Sequence, residues 1–161
     1  MSKLPRTARV IVSSTRAARG EYEDRTGPVL VDWLRGRGFD TPAPIVAADA
    51  QIAKAVEAVL SENPRPNVLI TTGGTGLTDD DRTVEAVEPH LDRQLSGIVT
   101  AFFMRGLESV PTAVMSRAVA GTVGRCFVMT LPGSRGAVKD GIAVLDPIID
   151  HLISMLEGKR D

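Results

Sequence analysis

Short apolar runs alternate with amphipathic segments along the first half of the chain, and this alternation restricts the possible folds most strongly. The runs at 8–13, 43–47 and 67–72 predict strands. Between them, the segments that begin at Pro28 and after Asp49 repeat apolar residues at the spacing of a helical face. Strands that alternate with helices in this way predict a parallel sheet with right-handed crossovers. We therefore expect an α/β fold.

The other segments have less regular patterns. Pro44 suits a strand at the edge of the sheet, and the charged stretch 14–27, which contains Gly20 and Gly27, is expected to be a loop. The second half of the chain predicts four further elements: a helix over 84–95 interrupted by Pro89, a helix over 97–107, a strand over 126–131, and a last helix with Asp146 as its cap and Pro147 at its first position. The last helix should bury a stripe formed by Ile149, Leu152, Ile153 and Leu156.

Length and charge limit the size of the core and the kind of partner. The chain has 161 residues, of which 43% are hydrophobic, and this predicts a single domain over residues 1–161. The formal net charge is -1, with acidic and basic residues interspersed. Such a chain lacks the broad positive field that binds a nucleic-acid backbone, so no nucleic-acid partner is expected.

Cysteine and histidine usage predicts neither a disulfide nor a zinc site. The single cysteine, Cys126, lies in an apolar run and is interpreted as a buried hydrophobe, while His90 and His151 are far apart and lack ligand spacing. Segment 1–6 lacks the apolar core of a signal peptide, and no apolar run reaches the length that spans a bilayer. We expect a cytoplasmic protein that does not contact a membrane.

Glycine-bearing turns follow two predicted strands, at Thr72 to Gly76 and at Leu131 to Ser134. Ligands of parallel sheets bind at the carboxyl ends of strands, and bare backbone N–H groups there can approach a phosphate. The hydroxyl groups of Thr72, Thr75 and Ser134 could add donors. The alternative is that each turn only needs glycine for a positive φ angle. The sequence contains no P-loop, no complete dinucleotide fingerprint and no G-x-S-x-G hydrolase motif.

Three consecutive aspartates, residues 79–81, follow the first glycine turn. They could form a solvated turn in which Asp81 or Thr83 caps the next helix. Alternatively Asp81, which is nearest the helix start, could hold a magnesium ion that bridges substrate phosphates. Asp49 occupies the corresponding place after the second strand and could be a helix cap, a catalytic residue or both.

Four segments in register resemble the MogA/MoaB family of molybdenum cofactor biosynthesis proteins, which is related to the gephyrin G domain. They are T-T-G-G-T-G-L-T-D-D-D-R-T-V-E-A (71–86), G-E-Y-E-D-R-T-G-P (20–28), P-T-A-V-M-S-R-A-V-A-G (111–121) and L-P-G-S (131–134). The resemblance runs from about Val10 to the last helix. It implies a three-layer α/β/α sandwich with a mainly parallel central sheet, and a homotrimer.

The same resemblance implies that the chain binds molybdopterin and catalyses its adenylylation. Catalytic members transfer AMP from Mg-ATP to the terminal phosphate of molybdopterin, which prepares it for molybdate insertion and for contact with the molybdate-inserting enzyme. Asp49 and Asp81 match the two functional aspartates of the family, with Asp81 as the magnesium ligand. The substrate-binding candidates are Ser14, Thr72, Gly73, Gly74, Thr75, Gly76, Ser116, Arg117, Pro132, Gly133 and Ser134. Arg117 is a candidate cation for stabilising the transferred phosphoryl group.

The chain departs from the family pattern at several positions. Thr15 stands where many members have aspartate, Thr130 where asparagine is frequent, Arg135-Gly136 where proline and lysine are common, and Gln94 where an acidic residue is usual. These departures do not affect the fold prediction. They leave a second hypothesis, in which the chain binds molybdopterin without catalysing transfer.

Overall fold

The computed structural model describes residues 4–159, so part of segment 1–6, which the leader-sequence prediction concerned, lies outside the described residues. Within this range the strands form one sheet of six, in the order β2-β1-β3-β6-β5-β4. The strands are β1 (Ala8–Ser13), β2 (Ile45–Ala47), β3 (Val68–Thr72), β4 (Arg93–Gln94), β5 (Ala120–Val123) and β6 (Cys126–Leu131). Strands β2, β1, β3 and β6 pair in parallel, while β5 and β4 are antiparallel additions at one edge.

Seven helices are present in the described part of the chain. They are α1 (Thr15–Ala18), α2 (Gly27–Gly36), α3 (Ile52–Leu60), α4 (Thr83–Val87), α5 (Ser96–Leu107), α6 (Arg135–Leu145) and α7 (Ile149–Leu156). Short 3₁₀ turns occur at Asp49–Gln51, Glu88–His90 and Pro111–Met115. The mainly parallel sheet and the predicted edge position of β2 are confirmed.

Helices cover both faces of the sheet. Val10, Ile70 and Met129 pack on one face against apolar residues of α2, α5, α6 and α7. The alternate residues Ile11, Leu69 and Val128 pack on the other face against α3 and α4. Side chains alternate between the faces of a strand, so strands buried on both faces read as continuous apolar runs. The predicted three-layer α/β/α architecture is confirmed.

Two of the segment predictions were wrong. The helix expected over 84–95 is interrupted at Pro89 as predicted, but only its first part is α-helical, as α4, and a 3₁₀ turn and strand β4 take the place of the rest. Pro89 lies within that turn, where it cannot donate to a continuing helix. The stretch 14–27, expected to be a loop, contains the four-residue helix α1, whose first turn is capped by the Ser14 hydroxyl.

The cap predicted for the last helix was also wrong. Asp146 is the C-cap residue of α6, and its carboxylate accepts a hydrogen bond from Trp33 Nε1 at 2.8 Å. Helix α7 follows Ile148 and has no side-chain cap. The apolar stripe is confirmed, since Ile149 and Ile153 are fully buried. No helix within residues 4–159 is long and apolar enough to cross a membrane.

Candidate functional site

The two glycine turns lie side by side because they follow neighbouring parallel strands. Thr72 at the end of β3 is in register with Leu131 at the end of β6. The backbone N–H of Gly73 donates to the carbonyl of Leu131 at 2.9 Å. A Cβ atom on Gly133 would lie only 3.2 Å from Gly73 Cα, so the two backbones are almost in contact. The turns therefore form one continuous stretch of bare backbone at the carboxyl edge of the sheet.

Gly73 and Gly74 both need to be glycine for reasons within the protein. Their φ angles are +92° and +75°, which L-residues with side chains rarely adopt. Space is also lacking, because an added Cβ would lie 2.3 Å from the Ser13 carbonyl oxygen at Gly73 and 2.1 Å from Thr83 Oγ1 at Gly74. The tight-turn interpretation therefore applies to these two positions, and it is compatible with ligand binding by the same backbone.

Gly76 has a different constraint. A Cβ there would lie 2.6 Å from Asp81 Oδ2, so the missing side chain makes room for the carboxylate. Asp81 Oδ2 accepts hydrogen bonds from the backbone N–H of Thr78 at 3.0 Å and from its hydroxyl at 2.9 Å. The chain thus folds the aspartate back over the glycine turn. Helix α4 begins after Arg82 with no side-chain cap, so the predicted cap by Asp81 or Thr83 was wrong.

Asp49 is held from the opposite side of the site. Its two carboxylate oxygens accept hydrogen bonds from Ser13 Oγ at 2.8 Å and from Thr15 Oγ1 at 3.0 Å. The 3₁₀ turn and helix α3 that follow Asp49 have no side-chain cap. The helix-cap interpretation of Asp49 was therefore wrong, since its carboxylate is used by β1 and α1.

Asp49 and Asp81 line the same cleft, which has a volume of about 470 Å³. Its lining consists of Ser13, Ser14, Thr15, Arg16, Asp49, Gly74, Asp80 and Asp81. Two carboxylates were expected here, and the cleft adds Asp80 as a third and Arg16 as a cation. Asp80 was expected only in a solvated turn, and Ser13 and Arg16 were not among the predicted site residues. Their positions at or next to the ends of a strand and a turn were the signal in the sequence that could have identified them.

A second cleft of about 450 Å³ adjoins the first at Gly74 and Asp81. Its lining contains residues from three of the segments that carry the family resemblance, 71–86, 111–121 and 131–134. These residues are Gly74, Thr75, Gly76, Leu77, Asp81, Thr112, Met115, Ser116, Pro132 and Gly133. The two clefts together form a trough that is acidic at one end and lined by bare backbone at the other. Such a trough suits a ligand that carries a phosphate near one end.

The hydroxyl groups predicted near the turns make hydrogen bonds to other residues of the protein. The buried Thr72 hydroxyl donates to the Pro132 carbonyl at 3.1 Å and so ties one turn to the other. Ser116 Oγ donates to Thr75 Oγ1 at 3.0 Å. Ser134 Oγ accepts from the N–H of Ala137 at 3.1 Å and caps α6. These bonds fix the shape of the trough.

Arg117 acts on the turns through their main chain. Its Nε donates to the Gly76 carbonyl at 2.8 Å and one guanidinium nitrogen donates to the Asp81 carbonyl at 3.1 Å. Another guanidinium nitrogen pairs with Glu85. This hydrogen bond lowers the pKa of Glu85 and raises the pKa of Arg117. Arg117 therefore braces the glycine turn against the aspartate turn.

The carboxylates of Asp49 and Asp81 fit a magnesium ion whose remaining ligands are water and substrate phosphates. Residues 4–159 contain no group of three or more Asp, Glu, His or Cys side chains arranged to hold a metal by themselves. Mg²⁺ does not need such a cage, because it is usually held by one or two carboxylates together with water and substrate phosphates. Asp49 and Asp81 supply that number of hard oxygen ligands to one cleft.

Cys126 does not contribute chemistry to the site. It is buried in β6, and burial raises the pKa of its thiol to about 12. A thiol with such a pKa stays protonated near neutral pH and is a poor nucleophile. The interpretation of Cys126 as a buried hydrophobe is confirmed.

The chain matches one protein family over most of its length. The sequence profile of the family described as "probable molybdopterin binding domain" matches residues 9–151. The chain is 36% identical over 156 residues to a molybdenum cofactor biosynthesis bifunctional protein of Chlorobaculum tepidum, covering 96% of this chain and 49% of that protein. It therefore spans about half the length of that relative.

Two further similarities cover most of both chains. A molybdopterin adenylyltransferase of Pyrococcus furiosus is 34% identical over 149 residues, which cover 89% of this chain and 87% of that protein. The solved structure of the molybdopterin biosynthesis Mog protein from Mycobacterium ulcerans superposes with a TM-score of 0.87 at 38% identity. That match covers 94% of this chain and 99% of the solved chain.

Proposed function

This chain belongs to the MogA/MoaB family of molybdenum cofactor biosynthesis proteins, and from that premise we propose that it is a molybdopterin adenylyltransferase. The family membership confirms the resemblance seen in the sequence. One observation supports the specific activity most strongly: Asp49 and Asp81 line a single cleft that continues into the bare glycine turns.

The glycine turns would bind the terminal phosphate of molybdopterin. Backbone N–H groups without side chains in the way can approach phosphate oxygens closely, and a charge-assisted hydrogen bond of this kind is stronger than a neutral one. Gly76 and Gly133 line the same cleft, one from each turn, and can receive the phosphate between them. The apolar side chains of Leu77 and Met115 in that cleft offer surface to the pterin ring.

The two aspartates would hold a magnesium ion at the other end of the trough. When bound, magnesium neutralises charge on the phosphates of ATP. Without a cation, Asp49, Asp80 and Asp81 would repel a triphosphate, so an acidic cleft beside a phosphate site is consistent with metal-bound substrate. Arg16, in the same lining, offers a positive charge to the phosphates.

The reaction needs little covalent chemistry from the protein. An oxygen of the molybdopterin phosphate attacks the α-phosphorus of ATP, a new P–O bond forms, and the bond from the α-phosphorus to the bridging oxygen breaks, releasing pyrophosphate. Positioning of the two phosphates and stabilisation of charge account for most of the catalysis of such transfers. The proposed sites for the molybdopterin phosphate and for the ATP phosphates belong to one trough, which supports this proposal. No nucleophilic side chain is required.

The assembly and the cellular context are part of the same proposal. We propose that the chain acts as one molybdopterin-binding domain in a cytoplasmic homotrimer, and that its product passes to the molybdate-inserting enzyme. Large exposed apolar side chains on α5 and the segment after it support self-association: Met104, Leu107, Val110, Val114 and Met115. Light scattering should give the mass of a trimer, and a monodisperse monomer would argue against it.

The activity is tested with purified protein, molybdopterin and Mg-ATP. Mass spectrometry should detect molybdopterin-AMP, and a pyrophosphate assay should show equal release of the leaving group. Tight molybdopterin binding without product would replace this proposal with the second hypothesis, a non-catalytic molybdopterin-binding protein. Absence of both binding and product would refute the two hypotheses together.

A further inference from the structure

Thr15 exchanges two hydrogen bonds with Asp49. Its hydroxyl donates to Asp49 Oδ2 at 3.0 Å and accepts from the backbone N–H of Asp49, also at 3.0 Å. Ser13 Oγ donates to the other carboxylate oxygen at 2.8 Å. Both oxygens of the Asp49 carboxylate, and the Asp49 main chain, are therefore hydrogen-bonded to the last residue of β1 and to the first residue of α1.

These bonds are not needed to form the local secondary structure. Helix α1 begins at Thr15, but its cap is the hydroxyl of Ser14, which accepts from the N–H of Ala17 at 3.2 Å. The helix is only four residues long and buries none of them. The hydroxyl of Thr15 is directed instead to a residue 34 positions away that lines the cleft.

Two donors on opposite oxygens restrict rotation of a carboxylate. A carboxylate can accept about four hydrogen bonds or metal contacts, two on each oxygen. With one position on each oxygen of Asp49 occupied by a hydroxyl group, one on each remains for a ligand in the cleft. Partners that orient a metal ligand in this way commonly change metal affinity or activity by about 10–100-fold when removed.

We propose that Thr15, together with Ser13, is a positioning residue that presents the Asp49 carboxylate to a divalent cation in the cleft. The inference deepens the proposed function and rests on it for its role in adenylyl transfer. It also gives a role to the residue at one departure from the family pattern. An ionised aspartate at position 15 could accept from the Asp49 N–H, but it could not donate to the Asp49 carboxylate. The threonine therefore supplies a donor that a carboxylate would lack.

The test compares Thr15→Val, which keeps the shape of the side chain but removes the hydroxyl, with Thr15→Ser, which keeps the hydroxyl. With molybdopterin and Mg-ATP, we expect Thr15→Val to lower kcat about 10–100-fold, as for other partners of metal ligands, and to leave the KM for molybdopterin nearly unchanged. Thr15→Ser should recover most of the loss. Thr100→Val is the matched control, because the exposed Thr100 hydroxyl only donates to Ser96 within α5.

A second measurement does not depend on turnover. Binding of Mn²⁺ to each variant is followed, without ATP because ATP would itself bind the ion, by the electron paramagnetic resonance signal of the free ion. Thr15→Val and Ser13→Ala should each weaken Mn²⁺ binding about 10-fold or more, while Thr15→Ser and Thr100→Val stay close to the wild-type value. Thermal unfolding of each variant identifies any that is not folded at the assay temperature. If Thr15→Val is unfolded, the Mn²⁺ affinity of Ser13→Ala tests the positioning role in its place.

The outcomes separate this inference from the proposed function. A wild-type protein that makes no molybdopterin-AMP refutes the proposed function, while a Mn²⁺ affinity that depends on the hydroxyl still supports the positioning role. Equal Mn²⁺ affinities in folded Thr15→Val and Thr15→Ser, or no saturable Mn²⁺ binding to the wild type, would overturn the inference even if product forms.

Discussion

The Arg117 side chain binds the main-chain carbonyl of Asp81 and does not bind the Asp81 carboxylate. A guanidinium nitrogen donates to the Asp81 carbonyl at 3.1 Å, while Asp81 Oδ2 accepts from the N–H and hydroxyl of Thr78. The same arginine reaches the Gly76 carbonyl through Nε at 2.8 Å. One side chain therefore sets the distance between the glycine turn and the aspartate turn.

Replacing Arg117 should loosen this part of the site. We expect Arg117→Met to destabilise the protein by about 1–2 kcal/mol, because two carbonyl groups lose a charged donor, and to slow product formation. Urea unfolding and the molybdopterin-AMP assay measure the two effects. Glu85→Gln is the control, since it removes only the exposed ion pair and should cost less than about 1 kcal/mol. Equal effects of the two variants would show that the ion pair, and not the bracing of the turns, is what matters.

Gly74 should not tolerate a side chain. The Cβ of Gly74→Ala would lie 2.1 Å from Thr83 Oγ1, and the φ angle of +75° would be strained. We expect a loss of about 2–4 kcal/mol in stability and loss of activity. Gly97→Ala is the control, because nothing lies within 4 Å of the added atom. If thermal unfolding shows the two variants to be equally stable, the packing of Thr83 under the turn is described incorrectly.

Asp81 should be required for transfer and not for capture of the pterin. We expect Asp81→Ala to abolish molybdopterin-AMP formation while molybdopterin still binds, because Asp81 is proposed to hold the magnesium ion and the surface proposed for the pterin is formed by Leu77 and Met115. Asp79→Asn, in the same turn but outside the cleft lining, should retain activity. The assay combines product mass with molybdopterin fluorescence titration. Normal turnover by Asp81→Ala would remove this residue from the mechanism.

The ion pair between Arg6 and Glu157 makes stability depend on pH. Arg6 donates to Glu157 at 2.6 Å and lowers the pKa of that carboxyl below its ordinary value of 4.5. A lowered folded-state pKa gives stability that is present above the unfolded pKa and is lost as pH falls through the folded value. Glu157→Gln should therefore lower the Tm at pH 7, and the difference from wild type should close in acid. The exposed Glu57→Gln is the control, and a Tm difference between Glu157→Gln and wild type that does not narrow as the pH falls below 4.5 would contradict the assignment.

The central strands and the two glycine turns could be predicted from the sequence because their signals are local. Strand β3 is buried along its length because helices cover both faces; it opens with the apolar residues Val68 to Ile70, and Gly73 and Gly74 follow its end. Because β3 and β6 are parallel neighbours, their carboxyl ends lie side by side, and the turns that follow them meet. The two aspartates follow strands of the same sheet and reach the same cleft.

Strand β5 and helix α6 were missed because tertiary packing overrides their local propensities. Gly121 lies in β5 where a Cβ would be 2.2 Å from the Arg93 carbonyl, so the close pairing with β4 needs a residue that disfavours strands. Gly141 lies in α6 where a Cβ would be 2.8 Å from the Leu131 side chain. Both glycines weaken the sequence pattern of the element that contains them.

The hydrogen bonds around Asp49 could not be predicted either. Ser13 and Thr15 precede Asp49 by more than 30 positions, and only the parallel pairing of β1 with β2 brings the segments together. An acidic residue before an amphipathic segment is typical of a helix cap. In this protein the two hydroxyl groups each bind one oxygen of the Asp49 carboxylate and hold it in the cleft.

A crystal structure with molybdopterin bound tests the central claim most directly. We predict that the terminal phosphate lies against the backbone N–H groups of Gly74 to Gly76 and of Gly133, with Asp49 and Asp81 facing the space where the triphosphate enters. Density for molybdopterin at any other part of the surface, with both turns empty, would contradict it.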